Sequence, residues 1–243
     1  MKKMVIAACA LLFAGQAMAI DFEPKPGLSW QGKLGFNASR ITNSGLNGKA
    51  GINLGLKADY MLPNAHGTYI SGGVEWTQKG AKKSDSYYLD NTLTAQKGTH
   101  KINEHYISIP LHVGFRYNIN KEWGVYGELG PYFAIGLGGF HKFKADAEGA
   151  VPQSANWSSP TFKKKSFAKA GHSLGGFQRF DSGFGILIGG EYMNQYSLNL
   201  GFDWGFTDML RDDYRNDYAT ENPGKELEKL KNFNLSLTVG YRF

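Results

Sequence analysis

The stretch FNLSLTVGYRF, residues 233–243, decides the fold of this chain. Its apolar side chains fall on every second position, at Phe233, Leu235, Leu237, Val239, Tyr241 and Phe243. Polar or small residues fill the alternate positions, which gives the side-chain period of two that is typical of a β-strand. Strands of about ten residues with one apolar and one polar face are typical of transmembrane β-barrels. We therefore expect residues 233–243 to be the strand that closes a barrel wall.

The same alternation recurs about eight times along the chain. It predicts strands at residues 30–39, 50–60, 68–78, 105–118, 123–138, 179–192, 196–206 and 233–243. The second, fourth and sixth connections are short, whereas regions 79–104, 139–178 and 207–231 are predicted to be long loops. This asymmetry is typical of outer-membrane barrels, in which an even number of strands returns both chain ends to the periplasm. The predicted fold is all-β: an eight-stranded antiparallel up-and-down transmembrane β-barrel with short periplasmic turns and long extracellular loops.

Aromatic side chains and one short helix complete the predicted architecture. The aromatic residues at the periplasmic ends of the predicted strands are Trp30, Tyr60, Tyr117, Trp123, Tyr192, Tyr196, Tyr241 and Phe243. Aromatic girdles mark the membrane interfaces of barrels, so this set supports the predicted orientation. In the last loop, Asn222, Pro223 and the following GKELEKLK predict a helix cap, a first helical residue and a short helix.

The first residues, MKKMVIAACALLFAGQAMA, predict a secretory signal. Two lysines precede an apolar run over residues 5–14, and the small residues Ala17 and Ala19 follow it. The apolar run is shorter than the ~20 residues that a spanning helix needs, so we expect cleavage after Ala19. The predicted domains are therefore a signal peptide at 1–19 and an outer-membrane β-barrel at 20–243. The single cysteine, Cys9, lies in the signal, which leaves the mature chain without disulfide or thiol chemistry.

Composition narrows the class of protein further. The mean hydropathy of −0.37 argues against a helical membrane protein, whereas 32 glycines and 14% aromatic residues suit a barrel wall. A formal net charge of +6 favours anionic lipid head groups and phosphates as partners. No nucleic-acid recognition motif accompanies this charge, so we do not expect a nucleic-acid partner.

Charged residues in the polar register are predicted to meet inside the barrel. This lumen charge network comprises Lys33, Lys57, Asp59, Glu75, His112, Arg116, Glu128, Glu191, Asp203 and Arg242. An eight-stranded barrel is only wide enough to be filled by its own side chains, so we expect the opposite charges to pair and plug the lumen. A narrow ion pathway, or a proton-linked site at Glu75, His112, Arg116 and Glu128, stays open as the alternative.

The long loops carry two clusters of like charge. Lysines that are candidates for contact with phosphate groups of lipopolysaccharide are Lys142, Lys144, Lys163, Lys164 and Lys165, with Lys169 beside them. A solvated basic loop is the alternative interpretation. The acidic residues of the last loop match no calcium-binding spacing, and the six histidines show no ligand spacing, so neither a metal site nor a cofactor is expected.

Three parts of the sequence together resemble a known family. They are WQGKLGFNASR (30–40), VEWTQKGAK (74–82), and HYISIPLHVGFRY (105–117) followed by GVYGELGPYFAIGLGG (124–139). These strings resemble the PorT-like outer-membrane β-barrel family, which is widespread in Bacteroidota. The resemblance implies a barrel wall of this type, in a family whose members mostly have no determined role. The name-giving member is linked to a protein secretion and gliding machinery, a role that these wall motifs do not carry over.

These features predict an integral, non-enzymatic protein of the cell outer membrane with a charge-plugged lumen and loops that bind a partner or envelope component. Its expected partners are outer-membrane lipid and lipopolysaccharide, an unidentified extracellular ligand, and the barrel assembly machinery. The assembly signal is predicted at Tyr241 and Phe243 of the C-terminal strand. The alternatives are a narrow channel for small solutes or ions, a lipid-modifying barrel enzyme, and a soluble lipocalin-like barrel with an apolar interior. His172 and Ser173 are adjacent, but no catalytic acid is indicated beside them.

Overall fold

The computed structural model describes residues 26–89, 95–145, 157–163 and 176–243. The predicted signal peptide lies outside these described residues. Within the described ranges, the strands are β1 (Gly27–Ile41), β2 (Asn47–Met61), β3 (Thr68–Leu89), β4 (Ala95–Asn118), β5 (Trp123–Ala145), β6 (Trp157–Pro160), β7 (Phe180–Tyr192), β8 (Tyr196–Gly205) and β9 (Asn232–Arg242). A helix, α1 (Asp212–Glu221), precedes β9. No helix of the described residues is long and apolar enough to cross a membrane.

Eight of these strands form a closed antiparallel ring. Neighbours in the ring follow the order β1, β2, β3, β4, β5, β7, β8 and β9, and β9 pairs back with β1. The closing seam runs from Gln31 opposite Arg242 to Ile41 opposite Asn232. The short strand β6 lies outside the ring, on the edge of β5. The predicted eight-stranded antiparallel barrel is confirmed. Its closing strand is β9, which the stretch 233–243 predicted.

The wall alternates between an exposed apolar face and a buried polar face. On β9, Leu237, Val239 and Tyr241 are exposed, whereas Thr238 and Arg242 are buried. Exposed apolar side chains of the other ring strands continue this outer surface as an apolar belt. A soluble lipocalin-like barrel would have the reverse arrangement, so that alternative is wrong.

The short connections keep the strands in tight hairpins at one end of the ring. Met193 and Asn194 both adopt positive φ angles, of 55° and 58°, between β7 and β8. Consecutive positive φ angles match the right-handed twist of the flanking strands in a two-residue hairpin. At this end, the aromatic rings of Trp123 and Tyr192 lie 4.8 Å apart. The predicted girdle is therefore built partly from cross-strand pairs.

Two of the predicted long loops are wrong, because they contain strands. In the region 79–104, β3 continues to Leu89 and β4 begins at Ala95. In the region 139–178, β5 continues to Ala145 and β6 pairs with it. The outer face carries lysines here and the inner face carries the buried apolar Ala81 and Ile102, so the sequence lacks the alternation that contact with lipid imposes. We call residues 79–89, 95–104 and 139–145, together with β6, the projecting sheet, because they extend past the apolar belt.

The predicted helix after Pro223 is also wrong. The helix of this loop is α1, which ends at Glu221, and residues 223–231 are not helical. Arg215 on α1 pairs with Asp208 and donates hydrogen bonds to the main-chain oxygens of Leu227 and Glu228. These contacts hold the segment after α1 in a non-helical path across the loop, which overrides its local helix signal.

Apolar side chains from several segments close the long-loop end of the barrel. We call this cluster the apolar cap: Ile41, Ala81, Ile102, Tyr106, Tyr132, Ala134, Phe162, Phe177, Met209, Leu210, Tyr214 and Leu230. Main-chain hydrogen bonds fix its segments to one another, from Phe177 N to Thr161 O at 2.8 Å and from Met209 N to Leu230 O at 2.7 Å. The cap is thus a small packed core above the polar interior.

Candidate functional site

The charged side chains predicted for the lumen all lie on the inner face of the ring. Eight of them are buried: Lys33, Lys57, Asp59, His112, Arg116, Glu128, Glu191 and Arg242. Glu75 and Asp203 are only partly buried. Strand alternation explains this placement, because each occupies the register opposite the exposed apolar residues of its own strand.

Six of these side chains form one connected group toward the short-turn end. We call it the lower ion cluster: Lys57, Asp59, Arg116, Glu128, Glu191 and Arg242. It contains three cations and three carboxylates, so its formal charge is zero. Arg116 and Arg242 each bridge Asp59 and Glu191, with all four N–O distances at 3.2 Å. Buried charges are costly unless paired, and here each cation has two carboxylate partners.

Asp59 is the centre of the lower ion cluster. Its carboxylate lies 3.2 Å from Lys57 Nζ, 3.2 Å from Arg116 Nη2 and 3.2 Å from Arg242 Nη1, and its side chain is 2% exposed. No other carboxylate of the described ion pairs contacts three cations. The balance of the whole cluster therefore depends on Asp59 more than on any other member.

Glu128 connects the lower ion cluster to Tyr69 and His112. It pairs with Lys57, accepts a hydrogen bond from the Tyr69 hydroxyl at 2.7 Å, and lies 3.5 Å from His112 Nδ1. The guanidinium of Arg116 lies 5.1 Å from the centre of the Tyr69 ring. Tyr69 thus stabilises both signs of charge, through its hydroxyl and through its aromatic face.

Glycines on neighbouring strands make room for the interior tyrosines. Each of four tyrosines stands directly opposite a glycine in the strand register: Tyr69 with Gly114, Tyr106 with Gly136, Tyr126 with Gly189, and Tyr132 with Gly183. A Cβ atom at position 114 would collide with the Tyr69 ring. The glycines therefore let large rings lie flat inside a narrow barrel.

A second ionic group lies below the apolar cap, and sequence reasoning missed most of it. Lys79 Nζ is 3.1 Å from Asp181 Oδ2, and Asn232 Nδ2 donates to the same oxygen at 2.9 Å. The ammonium group also lies 5.1 Å and 5.0 Å from the ring centres of Tyr106 and Tyr132. We call Lys79, Asp181 and Asn232, with the fully buried Glu104 opposite Lys79 in the register, the upper ion cluster.

The upper ion cluster was missed because its strand ends were predicted as a loop. Asp181 lies in the predicted strand 179–192, but it is not among the residues predicted for the lumen charge network. Lys79 continues the inward register of Glu75 and Thr77, and Glu104 continues that of Ser108. Extending the alternation of β3 and β4 past their last apolar residues would have placed Lys79 and Glu104 on the inner face.

A small cavity separates the two ion clusters. Its volume is about 30 Å³, and the charged and imidazole side chains that line it are Lys33, Glu75, Lys79, His112 and Asp203. Lys33 and Glu75 form an ion pair across it. This volume holds about two water molecules, which is far less than a solute pathway needs.

The other predicted site residues lie on the outer surface or outside the described residues. Lys142, Lys144 and Lys163 are exposed, whereas Lys164, Lys165, Lys169, His172 and Ser173 lie outside the described residues. Tyr241 and Phe243 are exposed, at 45% and 70%, on the outer face of the seam. In the described ranges, no group of three or more His, Cys, Asp or Glu side chains could hold a metal ion.

The last loop is more ordered than a solvated acidic loop would be. Asp208 Oδ1 accepts hydrogen bonds from the main-chain N–H groups of Leu210 and Leu230, at 3.2 and 3.1 Å. Its carboxylate also pairs with Arg215. Asp208 therefore fixes the loop, which the sequence did not predict.

The family comparison agrees with the closed ring. The family model described as "Outer membrane protein beta-barrel domain" matches residues 16–211. No curated protein matches the chain. Among solved structures, the chain is similar to Ail of Yersinia pestis in complex with the heparin analogue sucrose octasulfate, at 16% identity and TM-score 0.40, over 89% of this chain and 99% of that one. It is also similar to OprG from Pseudomonas aeruginosa (14%, TM-score 0.41, 92% and 99%) and to a major outer membrane protein from Thermus thermophilus (15%, TM-score 0.43, 89% and 99%).

Proposed function

Because the chain belongs to the outer membrane protein β-barrel domain family and is an integral protein of the outer membrane, we propose that its lumen is closed and that it works through its extracellular surface. The observation that carries this proposal is the layered interior. The lower ion cluster, the upper ion cluster and the apolar cap follow one another from the short-turn end to the long-loop end. An ion or solute would have to displace all three layers.

Energetics support a closed lumen. Removing one partner from a buried ion pair costs about 3–5 kcal/mol, because the remaining charge is left uncompensated. Opening a path would disturb several pairs at once, including those of Arg116 and Arg242 with Glu191. This cost is comparable with the whole stability of a typical domain, about 5–15 kcal/mol. We therefore expect the folded barrel not to conduct ions.

The extracellular surface is the remaining place for a function. The projecting sheet and the loop that carries α1 extend beyond the apolar belt. The acids and bases of the lower ion cluster are paired with one another, and Lys79 is paired with Asp181, rather than gathered at an open cleft. This arrangement supports a non-enzymatic role in which the surface binds a partner or an envelope component.

Several finer proposals accompany this function. Residues 1–19 are removed as a signal peptide, and residues 20–243 form the barrel domain. The chain is a PorT-like member of its family, as the wall motifs suggest. Tyr241 and Phe243 are recognised by the barrel assembly machinery, and their exposure on the seam strand supports this assignment. Lipopolysaccharide and an extracellular ligand are the proposed surface partners.

Single-channel conductance in a planar bilayer tests the closed lumen. The samples are the wild-type barrel, Glu128→Gln and Arg116→Gln, with Lys121→Gln on an exposed short turn as the control. We expect a silent membrane for the wild type and for the control, in samples whose folding is shown by heat-modifiable migration. Reproducible current steps that change with either lumen substitution would refute the proposal. They would favour a narrow channel through the cavity instead.

A further inference from the structure

Three lysines stand side by side on the projecting sheet. In the strand register, Lys82 of β3 is directly opposite Lys101 of β4, and Lys101 is directly opposite Lys142 of β5. All three side chains are exposed. Directly opposite residues share a face of the sheet and have Cβ atoms about 5 Å apart. We call these residues the lysine row, and only Lys142 among them was a candidate from the sequence.

The lysine row lies on the outer face, above the apolar belt. Lys101 shares the outward register of the partly exposed Ile107 and of Ile109, which is exposed in the apolar belt. Between these two levels, His105 stacks on Trp76 with ring centres 5.6 Å apart. On β5, the exposed Phe140 lies below the row, and Lys142 Nζ is 5.4 Å from the centre of its ring. Lys101 is six residues from Ile107 along β4. At a rise of about 3.3 Å per residue and a strand tilt of ~40°, the row lies roughly 15 Å above Ile107 along the membrane normal. That level corresponds to the head groups and sugars of the outer leaflet.

The lysine row has no counter-charge among the described residues. None of their ion pairs involves Lys82, Lys101 or Lys142. Like charges directly opposite each other on a sheet are destabilising. A bound anion would remove this repulsion, and Lys144, which is exposed on the same face of β5, would add a further positive charge.

We propose that the lysine row binds phosphate groups of the lipopolysaccharide that surrounds the barrel in the outer leaflet. This inference rests on the proposed function, in which the extracellular surface binds an envelope component. The row faces sideways, toward neighbouring lipids, rather than upward into the medium. Its charges lie at the level where a glycolipid carries phosphorylated sugars, and lysine binds phosphate as a point charge. A soluble polyanion would gain nothing from this sideways position.

The test compares binding of two purified probes to the folded barrel: lipopolysaccharide and the same lipopolysaccharide after chemical removal of its phosphates. The variant is Lys82→Gln/Lys101→Gln/Lys142→Gln. The control is Lys121→Gln/Lys225→Gln/Lys229→Gln, which removes the same charge from exposed positions elsewhere. At about a fivefold effect for each lysine, the variant should bind intact lipopolysaccharide on the order of 100-fold more weakly, and the control should bind it like the wild type. Salt should weaken wild-type binding.

Equal binding by the variant and the control would overturn the inference, as would wild-type binding that does not depend on the phosphates. Tighter binding of soluble polyphosphate than of lipopolysaccharide would also overturn it, because the ligand would then come from the medium. Circular dichroism and heat-modifiable migration establish that both triple variants are folded. The bilayer recordings are independent of this result. A conducting barrel refutes the closed lumen, whereas a silent barrel without lipopolysaccharide binding refutes only the lysine row.

Discussion

Replacing Asp59 with asparagine changes the charge balance of the interior and hardly changes its shape. The substitution keeps an acceptor oxygen but leaves Lys57, Arg116 and Arg242 facing two carboxylates instead of three. One buried positive charge is then uncompensated. Because breaking a buried pair in this way costs about 3–5 kcal/mol, we expect the free energy of unfolding to fall by that amount.

A double variant separates charge balance from lost packing. Asp59→Asn/Arg242→Gln removes one charge of each sign from the lower ion cluster. Lys57 keeps Glu128, and Arg116 keeps Glu191, so the remaining charges are still paired. We expect the double variant to be about 1–3 kcal/mol more stable than the sum of the two single changes predicts.

Urea unfolding of the barrel in phospholipid vesicles, followed by tryptophan fluorescence, measures these free energies. The control is Asp212→Asn, because Asp212 is exposed on α1, outside the barrel interior. Its effect should stay within about 0.5 kcal/mol. A loss below about 1 kcal/mol for Asp59→Asn, or simple additivity in the double variant, would refute the account of the lower ion cluster.

Two further substitutions test the packing of the interior and the order of the last loop. Gly114→Ala should clearly lower the free energy of unfolding, because its methyl group collides with the Tyr69 ring. The control Gly32→Ala should be near neutral, because no atom lies within 4 Å of its Cβ position. Equal effects of the two substitutions in urea unfolding would contradict the glycine–tyrosine packing. Arg215→Gln should expose residues 222–231 to protease added outside intact cells, because it removes the contacts with Asp208 and with the main-chain oxygens of Leu227 and Glu228. An unchanged digestion rate would mean that Arg215 does not hold this loop.

The part of the wall that contacts lipid could be predicted from the sequence, and the part beyond it could not. Lipid on one side and a polar interior on the other impose the alternation that located β9 and most of the ring. Above Ile107, His105, Asn103 and Lys101 are polar on the outer face as well, so the period of two no longer separates the faces. The sequence therefore predicts loops where the structure continues β3, β4 and β5.

The ion-pair partners of the interior, and the absence of a helix after Pro223, depend on tertiary contacts that a local sequence pattern does not contain. Which carboxylate Arg116 reaches is determined by strand register and by the pairing of β1 with β9, neither of which the pattern of one strand contains. The sequence after Pro223 has good local helix signals, yet Arg215 holds that segment in a non-helical path. Local propensity is a weak guide where tertiary contacts compete with it.

The seam between β1 and β9 also bears on the time course of folding. Arg242 Nη1 donates to Ser29 Oγ at 2.9 Å across a sequence separation of 213 residues, whereas the other ring neighbours are joined by much nearer parts of the chain. Closing so long a stretch of chain is slow, because its entropy must be lost before the contacts form. Until the seam closes, both strands present unpaired main-chain groups that invite aggregation. Seam closure is therefore the step at which a vulnerable nascent barrel becomes a kinetically protected one.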